Sequence, residues 1–268
     1  MSMLRKSDPS LLLQVVGLSK HFRGLRAVED YHLELRQGEI LGIIGPNGAG
    51  KSTVFNTITG HIHADHGSVI FLGRDVTRDQ PHRIARAGMG RTFQNIRLFQ
   101  SMSVLDNVIS ARQLARSAGF LASVLSLPSF LENERAIKAE ALKTLAVFDL
   151  EGKADLPATA LSYGDQRKLE IVRALSLGPR VLLLDEPVAG MNQGEKEEML
   201  TLIRRIRDEF SLAIIIIEHN MPVVMNLCER IQVLSYGHLI AEGKPEEIQN
   251  DKLVIESYLG KEDIHAQA

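Results

Sequence analysis

The sequence is poor in features that mark several large protein classes. It has one cysteine, Cys228, so no disulfide can form within the chain and a reducing compartment is expected. Its 31 lysines and arginines are balanced by 33 aspartates and glutamates, so the basic excess of a nucleic-acid-binding protein is missing. The first ten residues contain no apolar core of the length that a signal peptide needs. These absences predict a globular chain in the cytoplasm.

What the sequence contains is 44% hydrophobic and 24% charged residues over 268 positions, enough for one sizeable core and a subdomain. The most hydrophobic loop-like stretch, residues 117–131, is too short to cross a bilayer, which takes about 20 apolar residues. Either a surface that docks on another protein or a helical hairpin broken at Pro128 fits this stretch. Residues 132–150 predict an amphipathic helix with one charged face.

The most informative stretch is residues 39–59, EILGIIGPNGAGKSTVFNTIT, which contains the pattern G-x-x-x-x-G-K-[ST]. An apolar run at residues 40–44 predicts a buried parallel strand, and residues 52–59 predict the helix that follows. Glycines allow successive backbone N–H groups to turn towards an anion, Lys51 can reach terminal phosphates, and the Ser52 hydroxyl can bind Mg²⁺. The stretch therefore predicts a site for a nucleoside triphosphate. Its predicted binding residues are Gly45, Pro46, Asn47, Gly48, Ala49, Gly50, Lys51, Ser52 and Thr53.

A second apolar run, residues 181–184, is followed by Asp185 and Glu186. In an open parallel sheet, ligands bind at the carboxyl ends of the strands, where these two carboxylates are expected. Beside a phosphate site, Asp185 can hold Mg²⁺ and Glu186 can accept a proton from the water that attacks the γ-phosphate. We therefore predict that both residues are functional.

Several other positions do not indicate a function by themselves. Phe22, between two predicted strands in residues 11–37, fits a ring stacked on adenine and an edge residue of a small core equally well. Gln94 closes a strand-like stretch and can place its amide oxygen on Mg²⁺ or on water, although a surface glutamine is the simpler interpretation. His61, His63 and His66 lie in a predicted solvated loop before a strand at residues 68–72, and we do not interpret them as a metal site. Ser103 is a candidate N-cap of a helix that ends near Leu114, and helical structure continues to about residue 160.

The segment LSYGDQ, residues 161–166, lies ahead of LLLDEP and resembles the signature motif of ATP-binding cassette (ABC) ATPases. The resemblance covers residues 11–260. It implies that Gln94 is the Q-loop glutamine, that Phe22 stacks on adenine, and that His219, after a strand at residues 214–217, contacts the γ-phosphate. In that family two cassettes meet head to tail, so Ser162, Gly164 and Asp165 are expected to contact nucleotide held by a second copy, at the start of a helix whose dipole favours phosphate.

The same resemblance implies an α/β fold: a P-loop NTPase core with a mainly parallel sheet, an N-terminal antiparallel β-subdomain and an inserted helical subdomain. Residues 11–93 and 167–240 are expected to form the ATP-binding core. Residues 94–166 are expected to form the helical subdomain, with the signature at its end. Residues 231–268 predict a strand pair around residues 236–238 and then two short helices, so residues 241–268 are expected to form a helical tail.

The sequence differs from the common ABC ATPase motifs in two places, and together with other short strings these differences resemble one branch of the family. Tyr163 and Asp165 replace the glycine and glutamine of the LSGGQ form, and Asn192 stands where many members have aspartate. The Tyr163 variant, the IEHNM string at residues 217–221 and the YLG end at residues 258–260 resemble the larger ATPase of high-affinity branched-chain amino acid importers. The neutral Asn192 cannot reproduce the charged contacts of a carboxylate. How tightly the two paired sites communicate therefore stays open at this point.

We therefore expect an ATPase that uses ATP and Mg²⁺ and lies on the cytoplasmic face of the inner membrane. Its expected partners are a second ATPase subunit, identical or paralogous, two transmembrane permease subunits docked near residues 94–107, and indirectly a substrate-binding protein; no nucleic acid is expected. Urea or amide importer ATPases and lipopolysaccharide-export ATPases remain alternatives. A soluble ABC protein acting on nucleic acid would usually carry two cassettes or a basic arm. A regulator without turnover would be expected to lack Glu186 or His219.

Overall fold

The computed structural model describes residues 8–115 and 127–259 of the 268-residue chain. The strands are β1 Leu11–Phe22, β2 Leu25–Arg36, β3 Ile40–Ile44, β4 His66–Phe71, β5 Arg74–Asp75, β6 Met89–Arg91, β7 Val181–Asp185, β8 Ala213–Ile217, β9 Arg230–Ser235 and β10 His238–Gly243. The α-helices are α1 Lys51–Ile58, α2 Pro81–Arg86, α3 Val104–Ala115, α4 Leu127–Val147, α5 Tyr163–Leu175, α6 Gln193–Glu209, α7 Met221–Leu227, α8 Pro245–Gln249 and α9 Lys252–Leu259. Short 3₁₀ helices cover Glu151–Lys153 and Ala158–Ala160.

The strands form two sheets. An antiparallel sheet has the order β2-β1-β4-β5, and a six-stranded sheet has the order β10-β9-β3-β8-β7-β6. In the second sheet the neighbours from β9 to β6 are parallel and β10 is antiparallel to β9. Because parallel strands end at one edge, the residues that follow β3, β6, β7 and β8 meet there.

Both faces of the parallel sheet are covered, which explains why β3, β7 and β8 are continuous apolar runs. Side chains alternate between faces along a strand, so Ile40 and Ile44 of β3 pack in one core while Leu41 and Ile43 pack in the other. The first core contains residues of α3, α4, α5, α6 and α7. The second lies between the parallel sheet, the antiparallel sheet and helices α1 and α2. The parallel sheet is therefore the central layer.

Some limits of strands and helices in the structure differ from the predicted ones. Strand β4 begins at His66 rather than residue 68, because His66 and Ser68 pair with Ser19 and Val16 of β1. Residues 127–131 belong to helix α4 and are helical rather than loop-like, and Pro128 lies within that helix. Residues 116–126 of that stretch, and residues 260–268 of the predicted tail, lie outside the described residues.

Two predicted domain boundaries fall inside regular elements. The boundary at residues 166 and 167 lies within α5, and the one at residues 240 and 241 lies within β10, so the first residues of the tail are a strand. Ser103 caps α3 through its hydroxyl, which accepts a hydrogen bond from the Asp106 N–H at 3.0 Å. In the described parts of the chain, none of the helices has the length and hydropathy of a membrane span.

Candidate active site

Residues 45–50 form the loop between β3 and α1. Gly45, Gly48 and Gly50 have φ values of 146°, 79° and 108°, which favour glycine. A Cβ atom on Gly45 would lie 2.1 Å from the Leu234 carbonyl oxygen, so the tight turn admits no side chain there. The buried Lys51 donates hydrogen bonds from Nζ to the carbonyl oxygens of Gly45 at 2.7 Å and Pro46 at 3.0 Å. Burial lowers the pKa of Lys51, and the nearby Glu186 and Asp185 oppose that effect.

The turn between β9 and β10 supports this loop. The Gly237 N–H donates to the Ala49 carbonyl oxygen at 3.0 Å, and the Gly237 carbonyl accepts from the Glu29 N–H at 2.9 Å. Tyr236 and His238 also line the cavity described next, and the sequence indicates them only as part of a strand pair.

A cavity of about 640 Å³ opens over the glycine loop. It brings together several predicted site residues, namely Phe22, Asn47, Gly48, Ala49, Gly50, Lys51, Ser52, Thr53, Gln94 and Glu186. Phe22 ends β1 and is 42% exposed, and the Lys20 ammonium lies 5.4 Å from its ring centroid. The cavity is therefore lined by both an aromatic ring, which suits a base, and a lysine, which suits phosphates.

The carboxylates lie where β7 ends. Asp185 is the last residue of β7 and is 6% exposed, and its Oδ2 lies 3.4 Å from Nη2 of Arg91. Burial raises the pKa of Asp185, opposed mainly by the charge of Arg91. Arg91 also donates to Asn56 Oδ1 at 2.8 Å and Thr59 Oγ1 at 2.9 Å, so it joins β6 and the end of α1 to Asp185. No sequence pattern had singled out Arg91, since its partners are distant in the chain.

Glu186 has a positive φ of 49° and meets two side chains from neighbouring strand ends. Gln94 Nε2 donates to Glu186 Oε2 at 3.2 Å, and His219 Nδ1 lies 3.5 Å from Glu186 Oε1. Because Gln94 uses its amide nitrogen here, its amide oxygen remains for a cation or water. Glu218, buried beneath this group, accepts hydrogen bonds from the Val188 and His219 N–H groups at 3.3 and 3.2 Å. Burial raises the pKa of Glu218, and sequence reasoning had missed this residue.

The signature residues lie elsewhere. Ser162 is the N-cap of α5, and its Oγ accepts a hydrogen bond from the Asp165 N–H at 3.2 Å. The helix therefore begins at Tyr163, directly after its cap. The Asp165 carboxylate is paired with Lys153 Nζ at 2.5 Å. Ser162, Gly164 and Asp165 are not among the residues that line the cavity over the glycine loop.

The glycine loop, the parallel sheet and the strand-end carboxylates define a P-loop nucleotide-binding protein of the ATP-binding cassette class. A family model described as ABC transporter matches residues 28–189, and one described as branched-chain amino acid ATP-binding cassette transporter matches residues 238–264. The chain belongs to the ABC transporter family of ATP-binding proteins. The predicted family resemblance and fold class are thereby confirmed.

The relatives point to one branch of that family. The chain is 39% identical to the high-affinity branched-chain amino acid transport ATP-binding protein BraF of Pseudomonas aeruginosa and 40% identical to LivG of Escherichia coli. Each match spans 250 residues, 93% of this chain and 98% of the relative. The lipopolysaccharide export system ATP-binding protein LptB of Escherichia coli is 36% identical over the same shares.

A solved structure agrees with this assignment. The ADP conformation of MJ1267, an ATP-binding cassette of an ABC transporter, superposes with a TM-score of 0.82 at 30% identity. That superposition covers 94% of this chain and 99% of the other.

Proposed function

We propose that this protein is the ATP-hydrolysing subunit of an ABC transporter that powers uptake of branched-chain amino acids. The observation that carries the ATPase proposal is the meeting of Lys51, Asp185, Glu186, Gln94 and His219 at one edge of the sheet. The substrate class rests on the branched-chain amino acid transport relatives and on the matching family model at residues 238–264.

A Cβ atom on Gly45 or Gly50 would lie 2.1 or 2.4 Å from a backbone oxygen, so only glycine fits these two positions of the tight loop that would wrap around the phosphates. Free N–H groups at the start of α1 and the Lys51 ammonium offer positive potential to phosphate oxygens. Residues 45–53 would hold the triphosphate, and the exposed Phe22 ring would stack on the base.

The donor set for Mg²⁺ is all oxygen, as that ion prefers: the Ser52 hydroxyl, the Asp185 carboxylate and the Gln94 amide oxygen. When bound, the ion would neutralise charge on the phosphates. Asp185 is held in position by Arg91 and by Thr92, whose hydroxyl accepts from the Asp185 N–H at 3.2 Å.

Glu186 would accept the proton of the attacking water, and Gln94 and His219 would orient that water and the γ-phosphate. Gln94 and His219 contact Glu186 from two different strand ends, so they fix the direction in which its carboxylate faces. A general base of this kind contributes about 10²–10⁴-fold in rate.

The separation of Ser162, Gly164 and Asp165 from the cavity supports a site completed by a second copy, identical or paralogous. The first turn of α5 would present its N–H groups and dipole to the γ-phosphate held by that copy. The Asp165 carboxylate pairs with Lys153 and the Asp165 N–H donates to Ser162 Oγ, so the N–H groups of Tyr163 and Gly164 are the ones that would meet the anion.

We further propose that two transmembrane permease subunits dock near residues 94–107, which places the protein at the cytoplasmic face of the inner membrane. A substrate-binding protein would act indirectly, through those subunits. The division into a core, at 11–93 and 167–240, a helical subdomain at 94–166 and a tail at 241–268 remains part of this proposal. Residues 92–103, which have no regular helix or strand, connect the first two parts.

The test is co-purification from native membranes with mass spectrometry of the partners, together with labelled leucine uptake in a deletion strain. We expect multi-span membrane proteins in the complex, and uptake restored by the wild-type chain but not by Lys51→Ala. Partners without any multi-span membrane protein would overturn the transporter proposal.

Lipopolysaccharide export is the second candidate, favoured by the 36% identity to LptB. It would be supported by normal leucine uptake in the deletion strain together with impaired export of lipopolysaccharide. Labelled urea and a short aliphatic amide, used in the same uptake assay, would test the third class of cargo.

A further inference from the structure

Helix α5 contains a buried ion pair that the proposed chemistry does not use. Arg167 and Glu170, one turn apart, are 4% and 5% exposed, and Arg167 Nη1 donates to Glu170 Oε2 at 3.2 Å. Charges are buried in this way only when they are paired and hydrogen-bonded, because the loss of hydration is otherwise too costly. Neither residue lines the cavity over the glycine loop.

Both side chains hold the backbone of the segment that contains Gln94. Arg167 donates to the Phe93 carbonyl oxygen at 2.9 Å and to the Gln94 carbonyl oxygen at 2.5 Å. Glu170 Oε1 accepts from the Phe93 N–H at 3.1 Å. Because residues 92–103 have no regular secondary structure, these bonds to α5 fix the place from which the Gln94 side chain reaches Glu186.

The same arginine is held by the tyrosine of the signature. Arg167 Nη2 donates to the Tyr163 hydroxyl at 3.0 Å, and its guanidinium lies 5.5 Å from the centroid of the Tyr163 ring. The ring also lies close to Gly190, where a Cβ atom would lie 3.2 Å from Tyr163 Cε1. Gly190 lies in the segment between Glu186 and the start of α6. Tyr163, where the common signature has glycine, thus lies beside the segment that follows Glu186 and is linked through Arg167 to the segment that contains Gln94.

We propose that Tyr163, Arg167 and Glu170 are positioning residues. When the signature contacts the nucleotide held by a second copy, these three residues pass the resulting movement to Gln94 and Glu186 of their own chain. This inference rests on the proposed paired site. Residues 163–170 belong to one continuous helix, so a shift of its first turn moves the bonds that hold Phe93 and Gln94. Since Gln94 contacts Glu186, binding at one site adjusts the catalytic group of the other.

The test compares Tyr163→Phe, Arg167→Lys and Glu170→Gln with the wild type in ATP affinity, kcat and ATP-driven dimerisation. For Glu170→Gln and Arg167→Lys we expect kcat to fall about tenfold or more, because misplaced catalytic groups lose rate steeply. For Tyr163→Phe, which removes one hydroxyl and leaves the ion pair, we expect a smaller fall of about threefold. We expect ATP affinity to stay within about twofold, because none of the three substitutions changes a residue proposed to bind ATP in the ground state.

A tryptophan reporter separates positioning from general stability. The chain has no tryptophan, so Phe99→Trp in the segment of residues 92–103 gives a signal without background. In a Glu186→Gln background, Mg²⁺ and ATP should change this fluorescence. We expect Glu170→Gln to abolish the change while the dimer still forms. Arg230→Lys, which alters a pair with Glu39 at the opposite edge of the sheet, is the matched control and should keep kcat and the fluorescence change.

The outcomes distinguish the inference from the proposed function. A dimer whose fluorescence change and kcat persist in all three variants overturns the inference alone. A wild-type chain that neither hydrolyses ATP nor dimerises in the Glu186→Gln form overturns the proposed function, and the inference with it.

Discussion

Phe22 is the residue whose sequence interpretation was most evenly balanced, and its position now favours one alternative. Its ring is exposed at the mouth of the cavity that contains Lys51, rather than packed in the core of the antiparallel sheet. We expect Phe22→Ala to weaken ATP binding by about 5–150-fold, from about 1–3 kcal/mol of base–aromatic stacking. Titration with ATP and with inorganic tripolyphosphate measures this. Tripolyphosphate has no base, so its affinity should be unchanged, and Phe22→Tyr should behave as the wild type. Equal losses for both ligands would contradict stacking.

Glu186 should act in the chemical step rather than in binding. We expect Glu186→Gln to keep ATP affinity and to lower turnover by about 10²–10⁴-fold, because the amide occupies the same space but cannot accept the proton. Phosphate release and nucleotide titration measure the two quantities. Hydrolysis at the wild-type rate would remove Glu186 from this role.

Some residues of the proposed site could be predicted from sequence and others could not, for a physical reason. Lys51, Asp185 and Glu186 lie in short strings whose neighbours already specify the local backbone. Arg91 and Glu218 act through contacts that only the folded sheet creates, such as the pair of Arg91 with Asp185 on a neighbouring strand. Arg91 ends β6, a strand of only three residues, which is too short to give a sequence pattern that would mark it.

At the scale of elements, the first turn of α6 shows what Asn192 does. Its Oδ1 accepts from the Glu195 N–H at 3.0 Å, while Glu195 Oε2 accepts from the Asn192 N–H at 2.9 Å, which together make a capping box. We expect Asn192→Ala to lower the free energy of unfolding by about 1 kcal/mol. Chemical denaturation measures this, and Asn192→Asp, which keeps the acceptor, should retain the stability. An alanine variant as stable as the wild type would argue against the cap.

Element types were easier to predict than element limits. The apolar runs of β3, β7 and β8 specified buried parallel strands because both faces of the sheet are covered. The start of β4 could not be read locally, since His66 joins the strand only by pairing with Ser19. The start of α5 is set by the cap at Ser162, which outweighs the weak helix propensity of Tyr163 and Gly164.

At the scale of the whole molecule, the order of the strands brings the site together. Gln94 follows β6, Asp185 ends β7 and His219 follows β8, and these three strands are neighbours in the parallel sheet. The local sequence gives each strand but not this order, because pairing depends on contacts between distant segments. The prediction that Gln94 and His219 join the carboxylates in one site therefore came from the family resemblance and not from the periodicity of the sequence.

Within one chain, Ser162, Gly164 and Asp165 of the signature do not line the cavity over the glycine loop, and this leads to a prediction about assembly. With Mg²⁺ and ATP, the Glu186→Gln variant should form a stable dimer in sedimentation velocity, because the nucleotide that joins the copies persists. The same variant with ADP, and Lys51→Ala with ATP, should remain monomeric. A monomer under every condition would contradict the paired site.

The Lys51 ammonium has three N–H bonds, and the carbonyl oxygens of Gly45 and Pro46 hold two of them. The remaining bond is thereby given a fixed direction before any phosphate arrives, so little rotational freedom is lost on binding. A guanidinium, whose donors form a rigid planar fork, cannot be seated on the same pair of peptide oxygens. Conservation of charge alone would therefore not make arginine a replacement for lysine here.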